Sequence, residues 1–344
     1  MSDASAARTD VLVVGGGPVG LAAAIEARLA GLDVVVVEPR PGPVDKACGE
    51  GLMPGTLAAL HRWGVDPVGH DLTGITYLSA TRQVDHPFRD GPGRGVRRTV
   101  LHAALRERAD ELGVVHRTGR VDAIEQGDGW VTAAGVSARW LLGCDGLHST
   151  VRRLAGLEVP RRGRAGRRYG VRRHVRVAPW SDRVEVHWGQ HAEAYVTPVA
   201  PDLVGIALLG PAGEPFEATL ATFAALAARV EGAPHGKTLG AGPLLQRTSA
   251  RSAGAVRLVG DASGYVDALT GEGLRVGFEQ ARAVVATLGS AKDYERAWSA
   301  ATRDYRVLTS GLVAWATSPL RGGVVPVAST FPGVFGRVVE RIAH

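Results

Sequence analysis

A chain of 344 residues that is 45% hydrophobic can bury a substantial core, as one compound domain or two closely packed ones. Its formal charge of +6 comes almost entirely from arginine, since Lys46, Lys237 and Lys292 are the only lysines; such a bias fits genomic base composition better than a polyanion partner, and no nucleic-acid motif is present. No apolar run is long enough to cross a bilayer, the first residues lack a signal core, and Cys48 and Cys144 form neither a disulfide framework nor a metal-ligand spacing, so the expected location is the cytoplasm and no metal is expected.

In chain order, Val11-Leu12-Val13-Val14 reads as a strand buried on both faces. It runs into Gly15-Gly16-Gly17-Pro18-Val19-Gly20, after which residues 21–30 are alanine-rich and helical. A second buried strand, Val34-Val35-Val36-Val37, ends at Glu38. In such a βαβ unit Gly15 permits the tight turn, Gly17 lets backbone approach a pyrophosphate, and Gly20 lets helix and strand pack closely. The helix N-terminus favours an anion, and Glu38 is placed to accept hydrogen bonds from a ribose. Pro18 and Arg40 belong to the same dinucleotide site.

Further along stand Lys46-Ala47-Cys48-Gly49-Glu50-Gly51-Leu52 and, in a helical pattern, Arg98-x-x-Leu101-x-x-x-Leu105. Trp140-Leu141-Leu142-Gly143-Cys144-Asp145-Gly146 is a short strand and a turn. The run Arg161-Arg162-Gly163-Arg164 through Arg167-Arg168 to Arg172-Arg173 reads as a solvated loop and strand face. From Tyr169 through Val184-Glu185-Val186-His187-Trp188 and Ala194-Tyr195 to Leu209, short alternating strands suggest a compact sheet. Glu185 and His187 share one face of their strand, Val186 and Trp188 the other.

Val256-Arg257-Leu258-Val259-Gly260-Asp261 is another strand and turn, and Leu269-Thr270-Gly271-Glu272-Gly273 opens a helix. Residues 292–308 read as a helix with Tyr294, Trp298 and Tyr305 at helical spacing. The tail from Gly311 is apolar, with Pro319, Pro326 and Pro332 as breakers. These interrupt any single amphipathic helix that would lie on a membrane, so the tail is expected to pack against the domain.

The Gly15-x-Gly17-x-x-Gly20, Cys144-Asp145-Gly146 and Gly260-Asp261 segments together resemble the three fingerprints of the flavoprotein superfamily that contains p-hydroxybenzoate hydroxylase, the geranylgeranyl reductases and the flavin-dependent halogenases. That resemblance implies an α/β protein whose Rossmann-like FAD-binding domain (residues 1–160 and 246–310) carries a small inserted mixed β-sheet substrate domain (161–245), with a C-terminal helical segment (311–344). It implies FAD, with Asp261 on the ribityl chain, Gly271 and Gly273 beside the isoalloxazine, Arg98 near the phosphates, and Asp145 and Gly146 near both FAD and a nicotinamide cofactor. NADH or NADPH would visit transiently, because no second GxGxxG unit follows.

The superfamily spans several chemistries. Lys46-Ala47-Cys48-Gly49-Glu50 and Thr270-Gly271-Glu272-Gly273 resemble the reductase branch, which makes Cys48 and Glu50 candidate catalytic residues. The compact middle region suits a smaller, flatter molecule, and the halogenase motif with paired tryptophans is missing. The favoured reading is FAD-dependent monooxygenation of an aromatic or polyketide-like small molecule, with His174, His187 and Tyr195 as candidate substrate contacts. Reduction of isoprenoid double bonds is the alternative, and a non-catalytic dinucleotide-binding protein the third class.

Overall fold

A computed structural model describes residues 7–127, 129–160 and 167–343. Strand Ala7–Val14 lies inside a parallel sheet, between Val136–Gly143 on one side and Val34–Glu38 on the other. Val115–Thr118 and Val256–Leu258 extend that sheet in parallel, and Ser252–Ala253 closes one edge antiparallel. The period-2 geometry of a strand sorts its side chains between two cores. Val11, Val13, Val34 and Val36 pack into one apolar cluster with the helices, whereas Leu12, Val14, Val35 and Val37 pack into another. This is why both strands read as continuous apolar runs.

Helix Pro18–Leu29 follows the glycine turn at once, with proline in its first turn, where no amide partner is lost. Arg98–Glu111 and Gly273–Ala286 pack beside it. The α/β class and the Rossmann-like unit stand as expected.

The second sheet runs in the order Leu239–Ala241, Arg168–Val175, Leu203–Pro211, Glu193–Ala200, Arg183–Trp188, Gly74–Leu78, Gln83–Pro87. Its last two strands come from a stretch that the sequence reading assigned to the FAD-binding domain. Gly74–Leu78 pairs in parallel with Arg183–Trp188 across a long crossover, which no local pattern announces. A three-stranded sheet of Gly51–Leu52, Gly93–Gly95 and His70–Leu72 joins the two layers.

The arginine run also departs from expectation. Arg161, Arg162 and Arg164 lie outside the described residues. Arg168 and Arg172 are no solvated face: both are buried, Arg168 pairing with Glu193 at 2.6 Å and Asp267 at 2.9 Å, and Arg172 pairing with Asp45. Arg173, one residue out of phase, points the other way and meets Glu217 at 2.6 Å.

The C-terminal helix Ala291–Ala316 passes the expected end at 308 and crosses the boundary drawn at 310. Two short helices follow, Val324–Thr330 and Pro332–Ala343. Their inner face packs on the second sheet, with Phe335 and Tyr77 rings 4.8 Å apart. His86 Nε2 lies 2.6 Å from Glu340 and fastens the last helix to the sheet edge.

Candidate active site

The glycine turn is built by close approach. Gly15 has φ +103°, and a Cβ there would sit 2.5 Å from the Cys144 carbonyl oxygen; a Cβ on Gly20 would sit 1.8 Å from the Gly15 carbonyl oxygen. Gly17 meets only the end of the Arg98 side chain, 3.9 Å from its ideal Cβ, so this part of the turn stays open. No side chain caps the N-terminus of Pro18–Leu29, which leaves its first amides free for an anion. Glu38 accepts a hydrogen bond from the Gly16 amide at 2.9 Å and from Arg40 Nε at 2.6 Å. Burial pushes its carboxyl up, yet Arg40 and the Gly16 amide outweigh that and hold it below its ordinary value.

Asp261 reaches the same place from the far end of the chain. Gly260, at φ +65°, turns the chain out of strand Val256–Leu258, and Gln280 Oε1 accepts its amide at 2.7 Å. Ser263 donates to the Gly260 carbonyl at 2.7 Å and accepts from Trp298 Nε1 at 2.8 Å, locking the turn. Asp261 then faces the cavity, and no hydrogen bond to its carboxylate occurs among the described residues. Burial raises its pKa above the ordinary value, only partly opposed by Arg98, Lys46 and Arg152.

Arg152 is a residue that the sequence reading passed over. It is 1% exposed and donates to the carbonyls of Ala262 at 3.1 Å and Leu147 at 3.0 Å, so it ties the Asp145 turn to the Asp261 turn. Its place after an Asp-Gly turn was the available signal. Asp145 is fixed by Ser149, whose hydroxyl donates at 2.5 Å, and by the Val151 amide at 3.0 Å. Ser149 also accepts the Arg152 amide at 2.8 Å as an N-cap. Ser149→Ala is therefore expected to cost about 1 kcal/mol, seen as a lower urea midpoint with an unchanged slope.

One cavity of about 900 Å³ unites these parts. Gly15, Gly17, Pro18, Glu38, Arg40, Arg98, Asp145, Gly146, Gly260, Asp261, Gly271 and Gly273 border it, with Gly20 packed directly behind. Beyond them the cavity opens into an apolar chamber against the second sheet, bounded by Met53, Tyr77, Val184, Val186, Tyr195 and Leu209. Tyr195 presents its ring, because its hydroxyl is committed to the Leu269 carbonyl at 2.5 Å. Cys48 borders the cavity half-buried, its Sγ 3.4 Å from the Glu50 amide.

Three candidates are placed differently from expectation. Glu50 has φ +60°, and its carboxylate is spent on protein: it accepts the Arg98 amide at 2.8 Å and meets His174 Nε2 at 2.6 Å. It borders the cavity with a side chain 1% exposed, and these contacts commit its carboxylate to holding the start of the Arg98 helix. His174 is consumed in the same cluster, with Arg172 Nη1 3.0 Å from its other ring nitrogen, and does not line the chamber. His187 shares the Glu185 face as expected, but that face is the outer one; it meets Glu185 at 3.0 Å and the Phe223 ring, while Val184 and Val186 face the chamber. A second buried charge cluster, Glu193 between Arg168 and Arg321 at 2.6 Å each, anchors the sheet to the C-terminal segment and had no local signature.

The family described as FAD binding domain matches residues 8–206. A menaquinone reductase of Mycolicibacterium smegmatis is 32% identical over an alignment of 334 residues, covering 85% of this chain and 79% of that protein. A para-nitrophenol 4-monooxygenase of Pseudomonas sp. is 31% identical over 173 residues, 43% of this chain and 42% of its own. Among solved structures, p-nitrophenol 4-monooxygenase PnpA from Pseudomonas putida superimposes with a TM-score of 0.79 at 20% identity, over 98% of this chain and 97% of that one, a likeness of fold.

Proposed function

The chain belongs to the FAD binding domain family, and from that premise we propose that it is a FAD-dependent monooxygenase hydroxylating a flat aromatic or polyketide-like molecule. The cradle suits FAD on the structure's own terms. A glycine turn that any side chain would fill, free helix amides and a cavity-facing carboxylate without a hydrogen-bond partner supply a phosphate site and a hydroxyl acceptor at one cavity. The Pro18–Leu29 amides and Arg98 would take the pyrophosphate, Glu38 a ribose, and Asp261 the ribityl chain. Gly271 and Gly273 would admit the isoalloxazine. When bound, FAD supplies electron transfer from NADH or NADPH and the activation of dioxygen.

The observation that carries the reading is the chamber beside that cradle. Its walls are mainly aliphatic and aromatic, and the Tyr195 hydroxyl is already bonded, so it suits a largely apolar, ring-shaped substrate and keeps water from the reacting face. The protein's part is to hold the ring and exclude solvent. The expected compartment is the cytoplasm, where reduced nicotinamide is available.

A second reading, reduction of an isoprenoid double bond, is favoured by two observations. The menaquinone reductase likeness covers 85% of this chain, against 43% for the nitrophenol monooxygenase, and Cys48 stands at the cavity edge. The two are separated by supplying NADPH with phenolic substrates or menaquinone, with isotopically labelled dioxygen or under argon. Hydroxylation should give a product carrying one labelled oxygen and nothing under argon. A product that gains two hydrogens under argon and no oxygen would replace the first reading with the second.

A further inference from the structure

The C-terminal segment has a distribution of charge that its packing does not require. From Val307 to Gly336 the sequence holds one ionisable side chain, Arg321, and that one is folded inward to Glu193 at 2.6 Å. The outer surface of this stretch is left uncharged. Five of the nine large hydrophobic residues exposed among the described residues fall here: Val307, Leu320, Val327, Phe331 and Val334. Leu320 and Phe331 are 75% and 58% exposed, and the only charged side chain bonded to the outer side of this stretch among the described residues is Arg82, a cation, at Ser329. Scattered apolar side chains are ordinary on a protein surface, whereas a concentration of this kind marks a contact site.

The geometry narrows what the contact is with. No single helix among the described residues is long and apolar enough to cross a membrane, and the pair Arg321–Thr330 and Pro332–Arg341 is bent by 106°. A bent pair with an apolar corner suits lying in an interface. Beyond the corner the outer face of the last helix turns basic, through Arg337 and Arg341. Arg341 pairs with Asp304, while Arg337 has no carboxylate partner among the described residues. An apolar tip followed by a cationic rim matches the layering of acyl chains and anionic headgroups. Two copies of the same basic rim would repel each other, which disfavours self-association.

The inner face of the same corner belongs to the chamber. Val324, Val325 and Phe335 share one core with Tyr77, Val186 and Tyr195, and Val339 borders the cavity itself. We infer that the bent pair, exposing Val327, Phe331 and Val334 around its corner and Leu320 at its other end, is an interfacial docking surface for an anionic lipid bilayer. It sets the chamber next to the acyl layer, so that an apolar substrate dissolved in lipid enters without crossing water; this last consequence rests on the chamber being the substrate site.

The test uses the full chain with two vesicle preparations, phosphatidylcholine alone and phosphatidylcholine with phosphatidylglycerol, read by co-flotation. The wild type should float with the anionic vesicles. The double variant Leu320→Ser, Phe331→Ser should lose about tenfold or more in partition coefficient, with its thermal midpoint unchanged because both side chains are mainly exposed. Arg337→Glu should weaken binding to anionic vesicles and leave neutral ones unaffected, which guards against a folding defect in the double variant. FAD content and turnover of a water-soluble substrate should be the same in all three proteins, so a failure of docking is distinct from a failure of the oxidoreductase reading. Equal partition of wild type and double variant would overturn the inference. So would light scattering that shows a wild-type dimer, without vesicles, which the double variant dissociates.

Discussion

Glu50→Ala lowers the stability of the protein by about 3–5 kcal/mol, the usual cost of breaking a buried charge cluster. The carboxylate meets His174 Nε2 at 2.6 Å, accepts the Arg98 amide at 2.8 Å and lies 3.7 Å from the Arg172 guanidinium. Removing it takes a partner from a histidine nitrogen, a backbone amide and a guanidinium that are nearly buried at the cavity edge. Each such loss costs more than the hydrogen bond was worth wherever the group left behind stays buried. Glu50→Gln keeps the volume and one acceptor, so it should cost less than Glu50→Ala. Urea denaturation of both variants, with FAD in excess, measures the difference. A catalytic Glu50 would give the opposite pattern: turnover lost, urea midpoint kept.

The same cluster shows what a sequence can and cannot announce. The unit from Val11 to Glu38 is legible because each of its requirements is local. Alternate side chains enter two cores, Gly15 needs a positive φ, Gly20 needs to touch Gly15, and Glu38 ends the next strand. Asp261 was legible through its own strand-and-turn context and its resemblance to a known fingerprint. Glu50, His174 and Arg172 are different. They sit in three segments far apart in sequence, and only the packed fold turns them toward one another.

His187 is instructive in another way. The alternation of Val184, Val186 and Trp188 with Glu185 and His187 was visible, and apolar burial puts the valines inward and the histidine outward. The sorting of faces was therefore readable, although the assignment of His187 to substrate ran against it. Strand Gly74–Leu78 was hidden for a plainer reason. Its parallel partner lies beyond an entire helix and several strands, and loop closure over such a distance leaves no trace in local composition. Buried Arg168 and Arg172 were hidden by their neighbours, since an arginine-rich run looks solvated until Glu193, Asp267 and Asp45 are brought to it.

Asp261→Asn moves two measurements in opposite directions, weakening FAD binding while stabilising the protein without FAD. Burial raises the Asp261 carboxyl above its ordinary value, and Arg98, Lys46 and Arg152 offset only part of that. The FAD-free folded protein thus holds this proton to higher pH than the unfolded chain does. Between the unfolded value and the raised folded one the native state binds more protons, so stability falls as pH rises across that window. Above it the full cost persists, and there the apo protein carries a carboxylate that the fold disfavours. Asparagine has no charge to bury, so the apo variant should be more stable than wild type above that window and flatter across it. The cost in wild type is recovered when ligand hydroxyls donate to the carboxylate. Losing such a charged hydrogen bond typically costs about 1.5–3 kcal/mol, roughly a tenfold or larger rise in the FAD dissociation constant. Urea titrations of the two apo proteins from acid to mildly alkaline pH, together with FAD titration into each, test both halves. An apo variant no more stable than wild type at any pH in that range would remove the burial argument, and an unchanged FAD affinity would remove Asp261 from the ribityl site.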